Sequence, residues 1–149
     1  MNGWIGVDFD GTLAQYGTWV SADHCGEPIA PMVERVRRWM ALGHEVRIFT
    51  ARIHPLDTCV VPEDRVTATA EELVFAREAM TKGGIDPLRY EQACQAVTAI
   101  RAWCLQHIGA VLPITNVKDY GMIEIWDDRA VQVRPNTGEK VGNSTRGLE

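Results

Sequence analysis

Short, dense apolar runs alternate along the chain with longer stretches whose apolar residues recur every three or four positions. Trp4-Ile5-Gly6-Val7, Val46-Arg47-Ile48-Phe49 and Met122-Ile123-Glu124-Ile125-Trp126 have strand length and end in polar residues. Val111 to Val117 reads as a further strand, shortened by Pro113, and Ala130 to Val133 as a short edge strand. After Pro31, the spacing of Met32, Val36, Trp39 and Met40 predicts a helix over Met32–Leu42, stopped by Gly43. Glu63 to Lys82 is acidic at its start and Ala-rich. Leu73, Val74, Ala76, Arg77 and Met80 give it an amphipathic helical pattern that ends at Gly83-Gly84. A last helix is predicted from Tyr90 to Ile108, with Ala93, Val97, Ile100, Trp103, Cys104 and Ile108 as its apolar stripe and Gly109 as its stop. Arg77, Arg89 and Arg101 are expected to face water.

Strand, helix, strand within the first fifty or so residues is a βαβ unit, whose two strands run parallel. Thr50 therefore belongs at the same sheet edge as Asp8, the edge at which open α/β folds bind ligands. The first strand runs into Asp8-Phe9-Asp10-Gly11-Thr12. In extended chain, residues two apart point to one side, and two carboxylates this close repel unless a cation or a shared proton relieves them. Gly11 permits a sharp turn and Thr12 can hydrogen-bond it. Taken singly, these features are ordinary: an Asp-rich turn, a β-branched strand residue at Thr50, a surface charge at Arg52. Together, a hydroxyl and a guanidinium beside two acids suit an anionic group bound through a metal. Leu13 to Val20, with Gly17 at its centre, suggests a small hairpin or flap over the acids. Tyr16 and Trp19 in it could cover a ligand or pack against the domain. Ser21 to Pro31 reads as a loop, and its His24-Cys25 pair is weak support for a metal or catalytic site.

Composition narrows the picture. The 149 residues suit one domain, 46% of them are hydrophobic, and the net charge is −5. That charge argues against a broad nucleic-acid-binding surface, though not against a nucleotide or a nucleic-acid end as substrate. None of Cys25, Cys59, Cys94 and Cys104 stands at C-x-x-C spacing, so zinc is poorly supported. Cys94 and Cys104 fall in the helical pattern as core thiols, and a disulfide between Cys25 and Cys59 has no support. No secretory signal core and no run of membrane-spanning length is present, so a cytoplasmic location is expected, with no membrane partner. The Asn143-Ser144-Thr145 sequon is then a chance match. We divide the chain into a domain over 1–134, with 55–90 as a helical insert or lid candidate, and a polar tail over 135–149, expected to be mobile at its end.

Four strand ends thus carry Asp8 with Asp10, Thr50, Lys118, and Asp127 with Asp128. Their order resembles the haloacid dehalogenase superfamily over about residues 4 to 133. Asp-Phe-Asp-Gly-Thr stands for its first motif and Val-Arg-Ile-Phe-Thr for its second. Lys118 stands for the third and Ile-Glu-Ile-Trp-Asp-Asp for the fourth. The resemblance implies an α/β fold: a three-layer Rossmann-like parallel sheet flanked by helices, with a small flap after the first strand. It implies Asp8 as nucleophile, Asp10 as general acid and then base, Thr50 as hydrogen-bond donor to the phosphoryl group, and Lys118 as positive charge near it. It also implies Mg2+ held by Asp8, the Asp10 carbonyl and an acid of the fourth motif. Asp128 is the first choice there, with Asp127 holding a metal-bound water or Lys118. Gly11, Thr12, Ala51 and Arg52 are the candidate substrate-binding residues alongside.

An aspartate two residues after the nucleophile fits the superfamily's phosphatases better than its dehalogenating members. Between Thr12 and Met32 there is room only for a flap. The insert from Arg52 to about Tyr90 is longer than a crossover helix needs, and whether it is a lid or a cover for the sheet stays open. The expected function is a magnesium-dependent phosphohydrolase acting on a phosphate monoester, a phosphorylated small molecule or a nucleic-acid end. The alternative is a phospho-accepting or phosphate-binding regulatory domain with little turnover, since receiver domains combine similar residues. A non-catalytic interaction protein on this fold is a third reading, which the intact set of acids disfavours. Oligomeric state is left open.

Overall fold

Four short parallel strands bring the ends of distant chain segments to one edge. The computed structural model describes residues 2–54, 82, 84 and 86–142. Its elements are β1 (Trp4–Val7), α1 (Ala30–Ala41), β2 (Glu45–Phe49), a single 3-10 turn (Ala51–Ile53), α2 (Pro87–His107), β3 (Ile114–Thr115) and β4 (Met122–Trp126). The sheet order is β3-β2-β1-β4, with every neighbouring pair parallel. This is a Rossmann-like α/β arrangement. Val7 pairs with Ile48 on one side and with Trp126 on the other. The residues that follow these three, Asp8, Phe49 and Asp127, are thereby brought to one edge of the sheet.

The helices form where the patterns place them, for identifiable local reasons. Pro31 sits in the first turn of α1, and Gly43, with φ +84°, takes the left-handed turn past its end. Asp86 caps α2, its carboxylate accepting the Leu88 N–H at 3.0 Å, and Pro87 opens the helix. Arg37 of α1 donates to the carbonyls of His107 (2.7 Å) and Ile108 (3.2 Å), satisfying the end of α2 and tying the two helices together. Val36 of α1, Ile100 and Cys104 of α2, and Val7, Ile48 and Ile114 of the sheet fill one core. Among the described residues, no helix is long and apolar enough to cross a membrane.

Some expectations need correction. Arg101 is buried, because it stands four residues after Val97 and three before Cys104, on the stripe that faces the core. Arg89 is exposed, as expected, and Arg77 lies outside the described residues, as does the helix predicted over Glu63–Lys82 except for Lys82, which is helical. Ala130 to Val133 adds no strand to the sheet. Val133 instead pairs antiparallel with Lys140 across a turn in which Asn136 and Gly138 adopt positive φ. Cys104 is buried, Cys94 and Cys25 are partly exposed, and all three are free thiols. Cys59 and residues 143–149 fall outside the description.

The connection between β1 and α1 doubles back on itself. Gln15 N–H donates to Glu27 O at 2.8 Å and Ile29 N–H to Leu13 O at 2.9 Å. Trp103 of α2 reaches this loop, its Nε1 donating to Gly26 O at 2.9 Å. Gly26 fits only without a side chain, since a Cβ there would stand 1.9 Å from Gln15 O. Gly26→Ala must push two backbone segments apart, which we expect to destabilise the protein by about 1–3 kcal/mol, as overpacking does. Urea unfolding checks this: the midpoint should fall, and an unchanged midpoint contradicts the close approach.

Candidate active site

The first strand delivers its acids through an anchored turn. Asp8 N–H donates to Trp126 O at 2.8 Å, extending the β1–β4 ladder by one rung. Phe9 turns inward, fully buried, its ring edge-on to Trp103 at 5.0 Å. With Phe9 fixed there, Asp8 and Asp10 stay on the open side. Gly11 has φ +86°, and a Cβ there would lie 2.6 Å from Asp128 Oδ2, so the turn and the neighbouring Asp128 carboxylate require glycine for two reasons. Thr12 stitches the two strand ends together. Its Oγ1 accepts the Asp128 N–H at 3.0 Å and donates a long contact of 3.4 Å to Asp8 Oδ2.

Asp8, Asp127 and Asp128 each offer a carboxylate oxygen within 4.8 Å of the others. Burial, together with repulsion from Asp127 and a hydrogen bond shared with Asp128, pushes Asp8 up to about 7 from its ordinary 3.8; the charges of Asp128 and Asp10 add to this. A divalent cation is the direct relief for such crowding. The donors present, carboxylate oxygens only, fit a hard cation rather than a thiophilic one. Asp127 is itself oriented, its Oδ1 accepting the Arg129 N–H at 2.7 Å.

Asp10 does not join this trio. Both its oxygens are taken by Arg52, from Nε at 2.6 Å and from Nη2 at 2.8 Å. The opposite nitrogen, Nη1, donates to His24 O at 2.6 Å and Ala22 O at 3.2 Å. The Arg52 side chain is 7% exposed and lies near the rings of Phe9 (5.9 Å) and Trp19 (5.7 Å). A planar guanidinium meeting a carboxylate edge to edge is the strongest geometry this pair can adopt. The hydroxyl of Thr50, a buried residue, accepts the Arg52 N–H at 3.2 Å, which leaves its O–H free to donate elsewhere.

A cavity of about 240 Å³ brings Asp8, Asp10 and Asp127 together with Thr50, Arg52 and Arg129; Ala51, Tyr16 and Trp19 also line it. Gly11, Thr12 and Asp128 are not among the residues that line the cavity. Lys118 is exposed and is not among the lining residues. Its neighbour Asp119 accepts from Trp4 Nε1 at 2.8 Å, which ties that segment to the start of β1 rather than to the Asp8 end. Among the described residues, the positive charge lining the cavity comes from Arg52 and Arg129. The sequence reading missed Arg129, although its place directly after Asp127-Asp128 was the available signal. It also missed the pairing of Arg52 with Asp10, for which the sequence carries no signal.

No family model, no curated protein and no solved structure matches this chain.

The raised pKa of Asp8 has a thermodynamic consequence. Without a cation, the folded protein keeps a proton on Asp8 between about pH 4 and 7 that the unfolded chain has lost, so stability falls as pH rises through that window. Relative to Asp8→Asn, the metal-free melting temperature of the wild type should fall from pH 5 to pH 8. Mg2+ should raise the wild-type melting temperature more at pH 8 than at pH 5. Equal increments at the two pH values contradict the cation-holding role of the cluster.

Proposed function

We propose that the chain is a magnesium-dependent phosphomonoesterase of the haloacid dehalogenase type, acting through an aspartyl-phosphate on Asp8. The observation that carries this reading is the meeting of the Asp8, Asp127 and Asp128 carboxylates, the first two of which line one cavity with Thr50, Arg52 and Arg129. Mg2+ held by these acids would neutralise charge on the carboxylates and on the phosphoryl oxygens. Asp8 attacks phosphorus in line and the leaving oxygen departs. Asp10, once released from Arg52, gives that oxygen a proton, then takes one from the water that cleaves the acyl phosphate and frees inorganic phosphate. Thr50 donates to a phosphoryl oxygen. Arg129 and Arg52 supply the positive charge expected from Lys118. Residues 13–20, with Tyr16 and Trp19, act as the flap over the bound group.

A second reading, a phospho-accepting domain with little turnover, draws on the Arg52–Asp10 pair. Arg52 engages both oxygens of Asp10 and so competes with a leaving group or a water for them. The two readings separate in one assay. With p-nitrophenyl phosphate and Mg2+, the phosphatase releases p-nitrophenol continuously, and Asp8→Asn lowers the rate by at least about a thousandfold. A burst of one equivalent followed by a stable phosphoprotein supports the second reading. Continuous turnover that survives in Asp8→Asn contradicts both.

A further inference from the structure

A second cavity, of about 260 Å³, shares Trp19, Ala51 and Arg52 with the acid-lined one. Its remaining character is different. Arg89 and Gln92 face it from one side of α2, and His54 faces it from just past the 3-10 turn. Among the described residues no aspartate or glutamate lines it, in a chain whose net charge is −5 and directly beside a cavity lined by three acids. Arg52 lines both cavities but is committed to the first: it holds Asp10 and two backbone carbonyls in this structure, and in the phosphatase reading it turns to the phosphoryl group there. Recognition there falls to Arg89, which is exposed, and to His54 and Gln92.

Resting on the phosphatase reading of the first cavity, we propose that the second one binds a further phosphate on the leaving group, so that the substrates are bisphosphorylated compounds. A guanidinium, an imidazole and a side-chain amide offer more donors than the two oxygens of a carboxylate use, and they suit the three terminal oxygens of a phosphate. The shared wall of Trp19, Ala51 and Arg52 sets the two phosphates side by side: one with the acids and their cation, the other with the cationic and amide groups. The division follows charge. A phosphoryl group entering the first cavity needs a cation to sit among carboxylates, whereas one in the second meets donors directly.

The test measures binding, so that it does not depend on turnover. Asp8→Asn in Mg2+ is titrated with matched pairs: fructose 6-phosphate against fructose 1,6-bisphosphate, and adenosine 5′-monophosphate against adenosine 3′,5′-bisphosphate. At least one bisphosphate should bind at least about tenfold more tightly than its monophosphate, the scale of charge-assisted hydrogen bonds. Adding Arg89→Ala should bring that ratio to about one, while Arg89→Lys, which keeps the charge, should retain most of it. Melting temperatures of the three variants verify folding. Equal affinities within both pairs, or a preference untouched by Arg89→Ala, overturn the inference. A bisphosphate preference in a protein whose wild type turns over no phosphomonoester supports the second cavity and overturns the phosphatase reading instead. Turnover without a preference does the reverse.

Discussion

Mutual repulsion among carboxylates is the constraint around which this structure is built. Asp8 stands at the end of the first strand and Asp127 and Asp128 at the end of the fourth, more than a hundred residues later, yet their oxygens lie within 4.8 Å of one another. Left in water, such groups would separate. Here the β1–β4 ladder, the rung from Asp8 N–H to Trp126 O and the Thr12 hydroxyl hold them together. The apolar residues under that ladder, with Val7 and Phe9 fully buried, provide the stabilisation that offsets the repulsion. Burial first, and this repulsion after it, raise the pKa of Asp8.

Arg52 imposes the second constraint. One guanidinium serves Asp10 on one edge and the loop carbonyls of Ala22 and His24 on the other. It thereby links the loop after β1 to the 3-10 turn after β2 and withdraws Asp10 from the acid trio. In the phosphatase reading, this pair must loosen when substrate arrives, and an incoming phosphoryl group is the natural competitor for the guanidinium. The loop and Asp10 would then respond to substrate together.

The strand ends were legible because apolar runs of strand length have few alternatives, and because a βαβ unit fixes strand direction. That sufficed to place Asp8, Thr50 and the Asp127-Asp128 pair at one edge, and capping residues such as Gly43 and Gly109 bounded the helices well. Side-chain partners were not legible. Nothing local tells Arg52 to choose Asp10, forty-two residues away, over a ligand. Arg101 misled because a charge on an apolar stripe looks exposed until the packing is seen. Lys118 occupied the expected place in the order of motifs, but the few residues between β3 and β4 must travel to the start of β1. Asp119 and Gly121 anchor there, and the segment goes with them.

In the phosphatase reading, residues from two separate strands make one cation site. Calorimetric titration of Mg2+ into the wild type and into Asp128→Asn measures this directly. One site is expected in the wild type, weakened by at least about tenfold in the variant, with the circular dichroism spectrum unchanged. Equal affinity in the two proteins, with both folded, would contradict it.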